Sequence, residues 1–153
     1  DLVPEEVLNE ILKAGEYAPS GMGQQGTLMV VTQNPELVAK LSKMNADVMG
    51  TESDPFYGAP TVVVVFADSN MPTCVENGSL VMGNLMNAAH ALGVDSCWIH
   101  RAREVFASEE GKALKAEWGV PESYVGIGHC VLGYRSGEYP KAKERKDGFV
   151  IRV

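Results

Sequence analysis

Apolar residues recur at helical spacing from the start of the chain, where Val7, Leu8, Ile11, Leu12, Gly15 and Tyr17 share one side of a 3.6-residue period. Pro4 suits a first turn and Glu5 and Glu6 suit its dipole, so a helix is predicted over residues 4–17. TLMVVTQ (27–33) reads as a strand, and NPELVAKLSKM (34–44) as a helix with Asn34 as N-cap and Pro35 in its first position. A polar, turn-rich stretch is expected over 45–60. PTVVVVFAD (60–68) is apolar without alternation and rich in β-branched residues, the pattern of a central strand covered on both faces.

A long helical pattern then runs over 75–92 and ends at Gly93, where a left-handed C-cap is easiest. Gly78, Ser79, Gly83, Ala88, Ala89 and Ala91 give it a face that permits close helix packing. VDSCWIH (94–100) reads as a strand, REVFASEEGKALKAEWG as one charged helix ending near Gly119 and Pro121, and 124–132 as another strand before the apolar ending FVIRV. Helices and strands alternate with no repeat and no internal linker. The expectation is one domain, 1–153, of α/β or α+β class, with three layers around a mixed sheet.

Charge changes the picture at one end. The net charge of -7 argues against nucleic acid, because neutralising phosphates needs clustered cations. Residues 1–100 hold three cations against twelve carboxylates, whereas residues 101–153 hold ten against eight. Five of those ten are Lys141, Lys143, Arg145, Lys146 and Arg152, which read either as a solvated basic tail or as a local anion site. No uncharged apolar run is long enough to span a membrane and the N-terminus lacks signal-peptide character, so a cytoplasmic protein is expected. Cys74, Cys97 and Cys130 are odd in number and widely spaced, which fits reduced, mostly buried thiols.

Several motifs carry less than they suggest. GIGHCV (126–131) starts like a dinucleotide fingerprint, but Val131 takes the sixth position and no helix follows, so its glycines are expected to admit another backbone or side chain. Cys97 and His100, and His129 and Cys130, fall on opposite faces of their strands, which disfavours a metal site or a nucleophile pair. His90 is expected as a hydrogen-bonded core histidine. His100 ends a strand beside Arg101 and Arg103, where ligands commonly bind in α/β sheets. Trp98 reads equally as core or as an aromatic wall for a flat ligand. YAPSGMGQQGT (17–27), read by composition, is an ordinary helix-to-strand loop.

Taken together, EILKAGEYAPSGMGQQGTLMVVTQNPELVAKL, GAPTVVVVFAD, SLVMGNLMNAAHALGVDSCWIHRA and GHCVLGYRSGEYPKAKERKD resemble, in that order, the FMN-dependent nitroreductase family. The resemblance implies an α+β fold, a three-layer α/β/α sandwich with a mixed sheet in a domain-intertwined homodimer. Its long central helices would pack together, and each flavin site would draw on both chains. Residues 75–92 fit that central helix, and FVIRV fits the family's C-terminal segment that reaches onto the partner's sheet. The family also carries an Arg-rich segment that supplies phosphate and ribityl contacts, and DLVPEEVLNEIL reads as the continuation of such a segment.

Residue by residue, Pro19, Ser20, Gly21, Met22, Gly23 and Gln25 match the family's Pro-Ser-x-x-Asn-x-Gln loop that lines the flavin. Gly23 stands where Asn is frequent. Trp98, Ile99, His100 and Arg101 match the segment along the isoalloxazine, where a backbone N–H near His100 and Arg101 faces flavin N5. Asn45 matches a ring contact, and Arg145 and Lys146 match a basic pair that binds the FMN phosphate. No side chain is expected as acid or base, because hydride chemistry belongs to the cofactor. The implied activity passes hydride from NAD(P)H through FMN to a nitroaromatic, quinone or similar acceptor. A flavin-binding storage or sensing module and a flavin-free structural dimer are the alternatives.

Overall fold

The computed structural model describes residues 1–153. Helix α1 (Glu5–Glu16) follows Pro4 and buries Leu8, Ile11 and Gly15, the stripe its period predicts. A short 3-10 turn at Gly21–Gly23 leads into β1 (Thr27–Thr32). Helix α2 (Pro35–Met49) is capped by the Asn34 side chain, which accepts from the N–H groups of Glu36 and Leu37. It runs past the expected end at residue 44, to a left-handed Gly50 with φ 72°. Asn45 and Ala46 are buried in this extra turn, so tertiary contacts extend a helix across residues that local preference assigns to a turn.

Strand β2 (Thr61–Asp68) is buried over seven consecutive residues, as a central strand must be. After it come α3 (Cys74–Ala91), β3 (Asp95–Ile99), α4 (Ala102–Ala107), α5 (Glu109–Glu117) and β4 (Tyr124–Gly133). The single charged helix expected after residue 100 is two helices. Ser108 breaks it with ψ 160°, donating from its hydroxyl to the Val105 carbonyl and accepting from the Gly111 N–H at 3.0 Å.

The strands lie in the order β1-β2-β4-β3, and every neighbouring pair is antiparallel. This corrects the expectation of a mixed sheet. The unit β2-α3-β3 does run parallel, as its alternation suggests, but β4 inserts between the two strands and pairs antiparallel with both. The three-layer arrangement holds. Val63, Val65 and Ala67 of β2 face α1 and α3, meeting Ile11, Met82 and Leu85, while Val62, Val64 and Phe66 face the side of Leu41, Phe106 and Leu114.

The glycines of β4 admit neighbours. A Cβ on Gly128 would sit 2.5 Å from Trp98 Nε1, and one on Gly126 would sit 2.4 Å from the Ala102 carbonyl oxygen. Beyond Gly133 the chain is exposed and without regular structure, FVIRV included. Its first residues are tied down: Arg135 pairs with Asp95 at 2.6 Å and lies over the Tyr139 ring, and Tyr139 Oη meets His90 Nδ1 at 3.1 Å. His90 is therefore a surface residue, not the core histidine expected, and Cys97 is exposed where Cys74 and Cys130 are buried. No helix is long and apolar enough to cross a membrane.

Candidate functional site

The loop between α1 and β1 is built from backbone. Ser20 Oγ accepts the Gln25 N–H at 2.9 Å, and the Gly23 N–H bonds the Ser20 carbonyl, closing a tight turn. Met22, Gly23 and Gln25 all take positive φ, at 53°, 65° and 55°. Left-handed positions cost little at glycine and more at residues with a Cβ, so contacts must hold Met22 and Gln25 in place. One such contact is Asn77 of α3, whose Oδ1 accepts the Gly21 N–H at 2.9 Å. Met22 is among the most exposed apolar side chains, and a Cβ on Gly23 would meet nothing within 4 Å, so the loop presents open space.

The 97–101 segment lies at the other edge of the sheet. Trp98 packs toward the α3 layer and Ile99 toward the α4 layer, so the two do not form one wall. The Trp98 indole N–H is buried without a partner. His100 is exposed, and Arg101 takes a left-handed φ of 75° as the residue capping α4. The backbone N–H groups of His100 and Arg101 make no hydrogen bond within the chain.

Asn45 sits behind this turn. It is fully buried, its Nδ2 donates to the His100 carbonyl at 2.7 Å, and its Oδ1 accepts from Arg101 Nε at 3.0 Å. On its far side lies His129 Nδ1, 3.4 Å from Asn45 Nδ2. Burial pushes the His129 pKa down to about 3, so the ring is neutral at ordinary pH.

The predicted residues thus form two groups. Pro19 to Gln25 belong with Asn77; Asn45, His100 and Arg101 belong with His129. β1 and β3 lie at opposite edges of the sheet, and no hydrogen bond joins the two groups. Arg145 and Lys146 lie with neither. Arg145 donates to the Lys143 carbonyl and Lys146 Nζ sits 5.4 Å from the Phe149 ring centre. Asn77 was absent from the sequence expectation, and His129 entered it only as half of a disfavoured metal or nucleophile pair with Cys130. Asn77 reads there as one more polar residue of a small-residue helix, and nothing local reveals its partner 56 positions away.

A cavity of about 1000 Å³ lies elsewhere, between α2 and residues 51–60, with Val38, Ala46 and Phe56 among its walls. None of the predicted site residues lines it.

Comparison with known proteins supplies the relationship. A protein of Archaeoglobus fulgidus, provisionally named as an NADH dehydrogenase/NAD(P)H nitroreductase, is 30% identical over 89% of this chain and 76% of its own length. A nitroreductase from Bacteroides fragilis, solved with bound FMN, superposes with a TM-score of 0.90 at 28% identity, covering all of this chain and 89% of that one. An FMN-dependent nitroreductase from Clostridium difficile superposes at 0.77 with 27% identity, covering 98% and 85%. The Nitroreductase family matches residues 1–134. This antiparallel sheet flanked by α1 and α3 on one face and α2, α4 and α5 on the other is the fold of that family, and the chain belongs to the nitroreductases.

Proposed function

We propose that this chain binds FMN and passes hydride from NAD(P)H through it to a nitroaromatic, quinone or similar acceptor. The observation that carries the reading is the turn at His100 and Arg101, whose two N–H groups are left unengaged beside a guanidinium. Those groups fit a ring with acceptors along one edge: fixed donors and nearby positive charge favour a group that gains electrons. When bound, FMN supplies the hydride-accepting chemistry. The protein supplies orientation, through that turn, and access, through the Pro19 to Gln25 loop with its exposed backbone and low bulk.

The separation of the two groups supports an assembly in which the loop of one protomer and the His100 turn of its partner enclose one flavin. Such a homodimer needs a self-complementary face. Helix α3 offers one, with Leu80 exposed and a Cβ on Gly83 meeting nothing within 4 Å. Arg145 and Lys146 stand in an exposed tail where no carboxylate neutralises them, which suits a phosphate dianion.

The test is optical. Purified protein supplied with FMN should be yellow, bleach with NADH or NADPH, and recolour when a nitroaromatic or quinone is added. Yellow protein that neither nucleotide bleaches would favour storage or sensing, and colourless protein that ignores FMN would leave a structural dimer.

A further inference from the structure

Arg101 holds a left-handed conformation, φ 75° and ψ 9°, at the junction of β3 and α4. A residue with a Cβ keeps such a conformation only where its surroundings over-determine it. Here Asn45 clasps the turn from both sides, receiving Arg101 Nε and donating to the His100 carbonyl. A guanidinium only donates, so the amide cannot be flipped: Oδ1 faces Arg101 and Nδ2 faces His100. The remaining N–H of that amide has one neighbour, His129 Nδ1. Whether His129 Nδ1 accepts across that 3.4 Å contact is set by the imidazole tautomer, and His129 Nε2 is buried without a partner in the chain. His129 is fully buried with Phe56 and Phe106 beside it, ring centres 5.2 and 5.9 Å away. Asn45 has no exposed surface with which to touch a ligand.

We propose that Asn45, oriented by His129, is a positioning residue for flavin reduction: it fixes the His100–Arg101 turn so that its free N–H groups and its guanidinium meet FMN in one geometry. The inference rests on the FMN reading. It assigns Asn45 an action through His100 and Arg101, in place of a contact with the ring. A clasp that served folding alone would change melting temperature and leave the cofactor's midpoint potential where it was.

The experiment compares FMN-loaded wild type, Asn45→Leu, His129→Leu and His129→Gln by midpoint potential, melting temperature and steady-state kinetics. In both leucine variants reduction of bound FMN should become about tenfold less favourable, about 30 mV for a two-electron couple. The turnover number should fall with KM for the nucleotide little changed. His129→Gln, which can still offer an acceptor to Asn45 Nδ2, should recover most of the potential. Folded, FMN-loaded leucine variants with the wild-type potential overturn the proposal while leaving the FMN reading intact. Wild-type protein that takes up no FMN overturns both. Should the leucine variants not fold, exchange of the Arg101 Nε–H in wild-type protein decides by NMR: slow exchange supports the clasp and solvent-fast exchange refutes it.

Discussion

Asn77 Oδ1 accepts the Gly21 N–H at 2.9 Å, tying the loop after α1 to the first turns of α3. Asn77 is 1% exposed and its Nδ2 has no partner within the chain. A buried amide with one unused donor pair costs free energy unless something meets it.

Asn77→Ala removes the acceptor and leaves the Gly21 N–H part-buried and unpaired. The expected stability loss is about 1–2 kcal/mol, read by chemical denaturation. If FMN binding must re-order the loop, that ordering cost enters the affinity, and about 1.4 kcal/mol of it would weaken FMN about tenfold in a fluorescence-quenching titration. Equal loop mobility and equal affinity in the variant would show that Asn77 does not hold the loop.

His129 gives a pH prediction with a definite sign. Its folded pKa, about 3, lies below the unfolded value near 6.5, so the unfolded chain takes the proton first as pH falls. Stability from this group is full above pH 6.5 and is lost as pH drops toward 3. The slope from one such proton is at most about 1.4 kcal/mol per pH unit. Unfolding curves between pH 7 and 4 should steepen in acid for wild type and flatten for His129→Gln. Parallel pH profiles would mean that His129 titrates in the folded chain as it does in the unfolded one.

How much of this was legible in the sequence depends on the range of the interaction. Asn34 with Pro35, the apolar run 61–67 and Gly93 announce their elements locally, and the elements stand where those signals put them. The insertion of β4 between β2 and β3 is a choice among strand pairings that alternation cannot distinguish, and the mixed sheet failed there. Asn45 shows the same limit at the site. Its amide looks like a turn former until His100 and Arg101 arrive from 55 and 56 residues away to bury it. The turn of the loop was visible in Ser20, Gly23 and Gln25; its contact with Asn77, and that of Asn45 with His129, were not, because each is defined by a distant partner.

Arg145 and Lys146 test the phosphate assignment by charge. Both side chains are exposed, and neither forms an ion pair in the chain. Replacing both with alanine should leave the unfolding free energy within about 0.5 kcal/mol of wild type, as for most surface substitutions. FMN should bind at least tenfold more weakly, with a shallower dependence on salt, because charge-assisted contacts to a phosphate contribute about 1.5–3 kcal/mol. Riboflavin, which lacks the phosphate, should bind the variant and wild type alike. Unchanged FMN affinity would assign the tail to solvent.

Gly23 offers a gain-of-function test. Its φ is 65°, and a Cβ built there meets no atom within 4 Å. Asparagine tolerates the left-handed region better than most residues with a Cβ, so Gly23→Asn carries only a small conformational cost. The new amide would stand in the open space of the loop, where the resemblance places a side-chain contact to the flavin that glycine cannot make. One added hydrogen bond of about 1 kcal/mol would tighten FMN about fivefold. Gly23→Ala shares the backbone cost without the amide and should tighten nothing. If the asparagine variant binds FMN no better than the alanine variant, the loop does not face the ring, and its low bulk serves the turn alone.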